Sequence, residues 1–311
     1  MRYVRYILVI LAAAVMIGVV AYFLQSSKKN PSVAEGKIFV AASFYPLAEF
    51  AKNVGGQHIQ ILIVTPAGAE PHDYEPSIKQ ISEIESAQIF IMNGGGLDPW
   101  GDKLKPELIA KGTVVIDMSE HFKLLPPPSA EEAKTSQYDP HIWVDPVLAE
   151  QEVRIIRDGL IKADPSNVGD YTKNADAYLK KLSDLDQSYR ADLVSCSNRK
   201  VVTSHAAFGY LGREYGFEQI PIAGLSPDEE PSPRALVDIV NMAKQKHIQY
   251  IFFETLVSPK LAQTIAQEIG AKTLVFNPLE GLTADQIAQG QDYISIQQQN
   301  LENLKIAMQC K

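Results

Sequence analysis

Short apolar runs alternate with segments of helical period twice along this chain, once on each side of a single long amphipathic stretch. This alternation constrains the fold most, because strands joined through helices pair in parallel and need both sheet faces covered. The first set of runs covers residues 37–43, 59–64, 87–92 and 113–117, and the second covers 200–203, 218–222, 250–253 and 273–276. Each is bounded by turn-forming or polar residues, the pattern of a buried strand. Between the sets, residues 168–194 place Tyr171, Ala175, Tyr178, Leu179, Leu182, Leu185 and Tyr189 on one helical stripe. The predicted class is therefore α/β: two lobes, each a four-stranded mainly parallel sheet flanked by helices, joined by one long rigid helix. Expected boundaries are an N-terminal segment 1–30, a first lobe 31–164, a linking helix 165–196 and a second lobe 197–311. With 311 residues, 46% of them apolar, the chain is long enough for two such lobes.

The first 30 residues differ in kind. Arg2 and Arg5 precede an apolar run over residues 7–24, which ends at Ser26-Ser27-Lys28-Lys29-Asn30. Its length suits a bilayer span and is slightly long for the core of a cleaved signal. With Tyr22, Phe23 and Leu24 closing the run there is no small-x-small cleavage site. An uncleaved membrane anchor is preferred to a cleaved signal peptide. The domain is expected outside the cytoplasm on its other features, since positive charges flank the run on both sides and charge alone does not orient it. No cysteine stands there to receive a lipid.

The formal net charge of −8 and the lack of a basic block exclude a nucleic-acid partner. The two cysteines, Cys196 and Cys310, form an even count, which in an exported chain points to a disulfide. Such a bridge would staple the last helix onto the second lobe. Neither has a C-x-x-C partner, so thiolate metal ligation is disfavoured.

Among the six histidines, His58, His121 and His247 sit at a strand start, a turn and a helix end, and suggest nothing further. His72 (AEPHDYEP), His141 (DPHIWVDP) and His205 (TSHAAFGY) lie in polar loop segments, and Glu280 lies in FNPLEGL. The gaps between the four are about 70, 64 and 75 residues, so no local zinc-finger spacing relates them. His72, His205 and Glu280 each follow a predicted strand, the place where open parallel sheets bind ligands. Three neutral imidazoles and one carboxylate form a four-coordinate set suited to Zn²⁺. On residue chemistry alone Asp73, Glu254 and Asp145 compete with Glu280 for the carboxylate place. Glu254 ends a strand and could instead orient a histidine from behind the ion, while Asp145 before Pro146 is better used as a helix cap.

Catalytic motifs are missing: the chain has no H-E-x-x-H, no G-x-S-x-G and no G-x-x-x-x-G-K-[ST]. The triple glycine Gly94–Gly96 has no lysine after it and reads as a turn. Ser204 and His205 are adjacent in an extended segment, so their side chains point apart and form no nucleophile–base pair.

Five segments in order, SFYPLAEFAKNVGG, PAGAEPHDYEPS, DPHIWVDP, VTSHAAFGYLGREYGF and NPLEGLT, carry a resemblance. From about Lys37 to Cys310 the chain resembles the metal-binding solute receptors of zinc/manganese ABC importers, in their ZnuA-like branch. The resemblance implies two lobes bridged by a rigid helix and a metal in the cleft between them. It assigns His72, His141, His205 and Glu280 as ligands. Its partners would be a permease subunit and its cytoplasmic ATPase, with the receptor a monomer and no enzyme. Manganese-selective members resemble the carboxylate alternative at the third position, so His205 favours zinc over Mn²⁺. The chain departs from many zinc members in that residues 124–138 contain no histidine, so a metal-capturing role for that loop is not expected. The function expected is capture of Zn²⁺ outside the cytoplasm; the alternatives are a manganese receptor, a zinc-dependent adhesin and a zinc hydrolase with Glu280 as base.

Overall fold

The computed structural model of the protein describes residues 36–311 except residue 131; the expected anchor or signal over residues 1–30 lies outside the described residues. Strands β1 (Ile38–Ala42), β2 (Ile59–Ile63), β3 (Ile89–Met92) and β4 (Val114–Asp117) form one sheet in the order β2-β1-β3-β4. All three pairings are parallel. The crossovers run through α1 (Tyr45–Gly55), α2 (Ile78–Glu85) and α3 (Pro99–Ala110). After a long connection come α4 (Pro146–Ala163) and the 26-residue α5 (Val168–Leu193). The second sheet repeats the first: β5 (Lys200–Thr203), β6 (Glu218–Pro221), β7 (Tyr250–Phe253) and β8 (Lys272–Val275) run parallel in the order β6-β5-β7-β8. Its helices are α6 (Gly209–Tyr215), α7 (Pro233–Gln245) and α8 (Lys260–Ile269), followed by the short α9 (Ala284–Ala288) and α10 (Tyr293–Met308). This strand order opens a crevice at the carboxyl ends between β1 and β3 in one lobe and between β5 and β7 in the other.

One apolar core runs through both lobes. It contains Val40, Leu47 and Ile91 from the first, Tyr178, Leu182 and Tyr189 from α5, and Phe252 and Phe276 from the second. A separate, smaller core of Val202, Ile222, Ile251, Ala262 and Ile265 lies under α7 and α8. The predicted stripe of α5 is buried from Tyr171 to Tyr189. Burying such a stripe makes a helix about 39 Å long rigid.

Two features differ from the sequence reading. The lobes are joined by α10 as well as α5: Tyr293 at its start packs 5.0 Å from the Phe50 ring, and its hydroxyl donates to the Trp143 carbonyl at 2.7 Å. The helix expected from residue 206 starts at Gly209, because residues 204–208 form a turn whose backbone serves the site below. Cys196 and Cys310 are disulfide-bonded, tying the ends of α5 and α10 together. Among the described residues no helix is long and apolar enough to cross a membrane.

Candidate metal centre

The second lobe supplies two of the four side chains from close to its strand ends. His205 lies two residues past β5, and its carbonyl accepts from Thr203 Oγ1 at 2.9 Å and Gln219 Nε2 at 2.6 Å. Those bonds hold the turn that replaces the first helical residues expected there. Glu280 follows β8 through Asn277-Pro278-Leu279. Asn277 Oδ1 accepts from the Leu279 amide at 2.8 Å, and Asn277 is itself gripped by Asn300 from α10. Leu279 has φ +63° although it is not glycine, a strained conformation that persists only where its surroundings over-determine it. Its side chain is fully buried, so packing holds the turn that aims Glu280.

The first lobe contributes from longer loops. His72 lies beyond β2, between Pro71 and Asp73, and its amide donates to Glu70 Oε1 at 3.2 Å. Ser77 and Gln80 close a reciprocal cap on α2, and Gln80 Nε2 donates to the Val64 carbonyl at 2.7 Å, so both ends of that loop are fixed. His141 follows the 124–140 connection, where Asn93 Nδ2 holds the Pro140 carbonyl at 3.0 Å and Tyr210 donates to the Asp139 carbonyl at 2.8 Å. Trp143, two residues on, donates from Nε1 to the Pro278 carbonyl at 2.7 Å, joining the His141 and Glu280 segments across the lobes.

These segments bring His72, His141, His205 and Glu280 together, with one donor atom from each within 4.8 Å of the others. His141 Nε2 lies 3.2 Å from His72 Nε2 and 3.3 Å from His205 Nε2. Glu280 Oε1 lies 3.1 Å from His205 Nε2 and 3.4 Å from both His72 Nε2 and His141 Nε2. Those five separations fit four donors set around one ion at about 2 Å, the reach of zinc–nitrogen and zinc–oxygen bonds. His141, His205 and Glu280 are buried. His72 alone of the four lines the cleft of about 830 Å³ between the lobes.

Carboxylates stand behind two of the imidazoles. His205 Nδ1 is 2.5 Å from Glu254 Oε1, and His141 Nδ1 is 2.8 Å from Asp139 Oδ1. Each carboxylate accepts a hydrogen bond from Nδ1–H, which in the neutral ring leaves the Nε2 lone pair facing inward. Burial alone would lower His205, but the charges of Glu254 and Glu280 outweigh it and raise the imidazole well above its usual range. For His72 burial wins and lowers it. Glu280 is held well below the ordinary carboxyl range: burial opposes this, but the His205 charge and bonds from all three imidazoles prevail. Its Oε2 has no hydrogen-bond partner among the described residues. Glu70 is pushed up to about 10, first by burial and then by the Glu280 charge.

Glu254 lies behind His205 and is not among the converging donors. Asp73 and Asp145 are not among the converging side chains; Asp145 Oδ1 caps α4 by accepting from the Val147 amide at 2.9 Å. Asp139 and Glu70 were missed. A carboxylate two residues before His72 and before His141 was the available signal, since Asp139 Oδ1 also accepts from the His141 amide at 3.0 Å. Gly94–Gly96 cradles no external anion, because the Asn93 and Gly94 amides both donate to the chain's own Asp98.

Two parallel-sheet lobes with a three-imidazole, one-carboxylate cluster between their strand ends make up a two-lobed metal-binding receptor. Residues 40–307 match the family described as ZnuA, zinc-uptake complex component A, periplasmic, and the chain belongs to that family. This is a family of solute-binding receptors and not of enzymes. The chain is 38% identical over 295 residues to the high-affinity zinc uptake system protein ZnuA of Bacillus subtilis, with 92% of each chain covered. It is 39% identical over 284 residues to the zinc-binding lipoprotein AdcA of Streptococcus pneumoniae, where it covers 89% of itself but only 57% of that longer protein. The solved structure of the Zn(II)-bound ZnuA-like domain of AdcA superimposes with a TM-score of 0.77 at 39% identity, covering 88% of this chain and 99% of the domain.

Proposed function

We propose that this chain is an extracytoplasmic receptor that captures Zn²⁺ with His72, His141, His205 and Glu280 and passes it to an ABC permease driven by a cytoplasmic ATPase. The observation that carries this reading is the convergence of four donors from both lobes, all within 4.8 Å of one another and five of their six separations 3.1–3.4 Å. Four protein donors leave no open position for an activated water, so the cargo is held and no chemistry is done on it. The small radius and nitrogen-rich set favour Zn²⁺ over Mn²⁺, which suits oxygen donors in octahedral arrangement. Asp139 and Glu254 fix the inward lone pairs, and His72, facing the cleft, meets the incoming ion first. The receptor acts as a monomer, held at the outer membrane face through residues 1–30 or freed by their cleavage. Because the imidazoles must be neutral to bind, affinity falls as the pH drops.

The test is elemental analysis of the full chain after a challenge with equimolar zinc and manganese. One tightly held zinc per chain, lost in His205→Ala, is the expected result. Retained manganese would move the protein to a manganese receptor, and retention of full zinc affinity well below pH 5 would contradict ligation by three imidazoles.

A further inference from the structure

The mouth of the cleft holds a pair of carboxyls that the metal centre does not use. Glu132, from the 124–140 connection of the first lobe, reaches the second lobe and accepts from the Leu225 amide through Oε2 at 3.2 Å. The base of this connection is already tied to the second lobe, since the Tyr210 hydroxyl accepts from the Leu125 amide at 2.8 Å. Next to Leu225 stands Gly224, where a Cβ would lie 1.9 Å from both Glu132 Oε1 and Glu229 Oε2. The two carboxyls therefore converge on one spot that only a glycine leaves open, and they share a hydrogen bond. Two carboxylates cannot share one without a proton between them.

We propose that Glu132 and Glu229 form a proton-shared latch across the cleft mouth. With one proton between the two carboxyls the lobes are tied beside the metal centre, and with none the carboxylates repel and the tie opens. The surroundings favour keeping the proton. Asp102 and Lys123 line the same cleft, Asp73 is hydrogen-bonded to Asp228 on the Glu229 segment, and Glu230 and Lys134 are close in the chain. Negative groups outnumber positive ones there. Burial, then the bond to Glu132 and its charge, push the Glu229 carboxyl up to about 7 from an ordinary 4.5. A raised carboxyl means the tie is at full strength below the ordinary value and is lost as the pH rises through the raised one.

Rate of metal loss is one readout, and it rests on the zinc-receptor reading above. The full chain, loaded with zinc, is mixed with excess chelator at about pH 6 and about pH 8.5, wild type beside Glu229→Gln. The glutamine amide donates to Glu132 at either pH, so the variant stays latched, and imidazole protonation cancels in the ratio of the two rates. The wild type should release zinc at the variant's rate at the lower pH and about threefold or more faster at the higher. Gly224→Ala, whose Cβ displaces both carboxyls, should release fast at both. Exchange of the Leu225 amide, corrected for intrinsic rate, gives a metal-free readout: protection lost at the higher pH in the wild type and kept in Glu229→Gln. A rate ratio that does not change with pH, or Leu225 protection that is the same in both proteins at both pH values, overturns the latch. Failure to bind zinc would instead sink the receptor reading, leaving the amide measurement to decide the latch alone.

Discussion

The two lobes share a strand order and differ in how they hold their half of the site. In the second lobe His205 and Glu254 lie within two residues of a strand end, and Glu280 is aimed by a buried, strained turn. In the first lobe His72 and His141 hang from long loops, and His72 faces the cleft. One half is buried and set at strand ends, while the other reaches the cleft through His72 alone and is fastened by side-chain hydrogen bonds. A receptor needs both kinds, since a fully enclosed site would load slowly and a fully open one would hold poorly.

The sharpest way to break this contrast is to remove one imidazole from each half. His205→Ala should weaken zinc binding by about a thousandfold, and His72→Ala by about tenfold to thirtyfold because water from the cleft can take its place. Competition against a chromophoric chelator measures both, and equal losses would erase the distinction. Next in size is the staple of the second lobe: Cys310→Ser should cost about 2–4 kcal/mol in denaturant unfolding. Hydrogen exchange should then show protection lost first in α10 and β5, with β1–β4 little affected; uniform loss would mean that the lobes do not differ in this way.

Smaller effects come from the carboxylates behind the imidazoles. Glu254→Gln should lower zinc affinity about 10- to 100-fold, and Asp139→Asn by less, because that segment keeps its bonds to Tyr210 and Asn93. The reverse order would place the rigid half in the first lobe. The smallest effect concerns Glu152 on α4, which is fully buried with neither carboxyl oxygen hydrogen-bonded among the described residues. Burial, and then the Asp145 charge, raise it well above the ordinary carboxyl range. A raised folded-state value means stability is greatest below the ordinary 4.5 and declines as the pH rises above it. Glu152→Gln should therefore melt higher than the wild type by a margin that grows from acid to alkaline pH, and a constant margin would show that the group does not titrate.

Much of the frame was legible because its cause is local. Runs such as IFVAA and YIFF are strands wherever both faces are covered, and each of the eight begins or ends within two residues of its expected place. Asp145-Pro146 carries its own start signal for α4, and the tyrosine and leucine stripe of α5 its own period. The four side chains singled out from the sequence converge. What was not legible depends on contacts between distant residues. The turn at 204–208 exists because Gln219 takes the His205 carbonyl, the left-handed Leu279 because Asn277 and Asn300 grip its turn, and the second bridge between lobes because Tyr293 finds Phe50. Asp139 was passed over because its role shows only when the imidazole two residues away has a direction.

The wide spacing of the four donors along the chain bears on biosynthesis. No two consecutive donors of this set are closer than 64 residues, so an unfolded copy brings two of them together only by closing a long flexible loop. The complete set of four exists only in a copy whose two sheets have already formed, so occupancy of that set by an ion would certify correct folding.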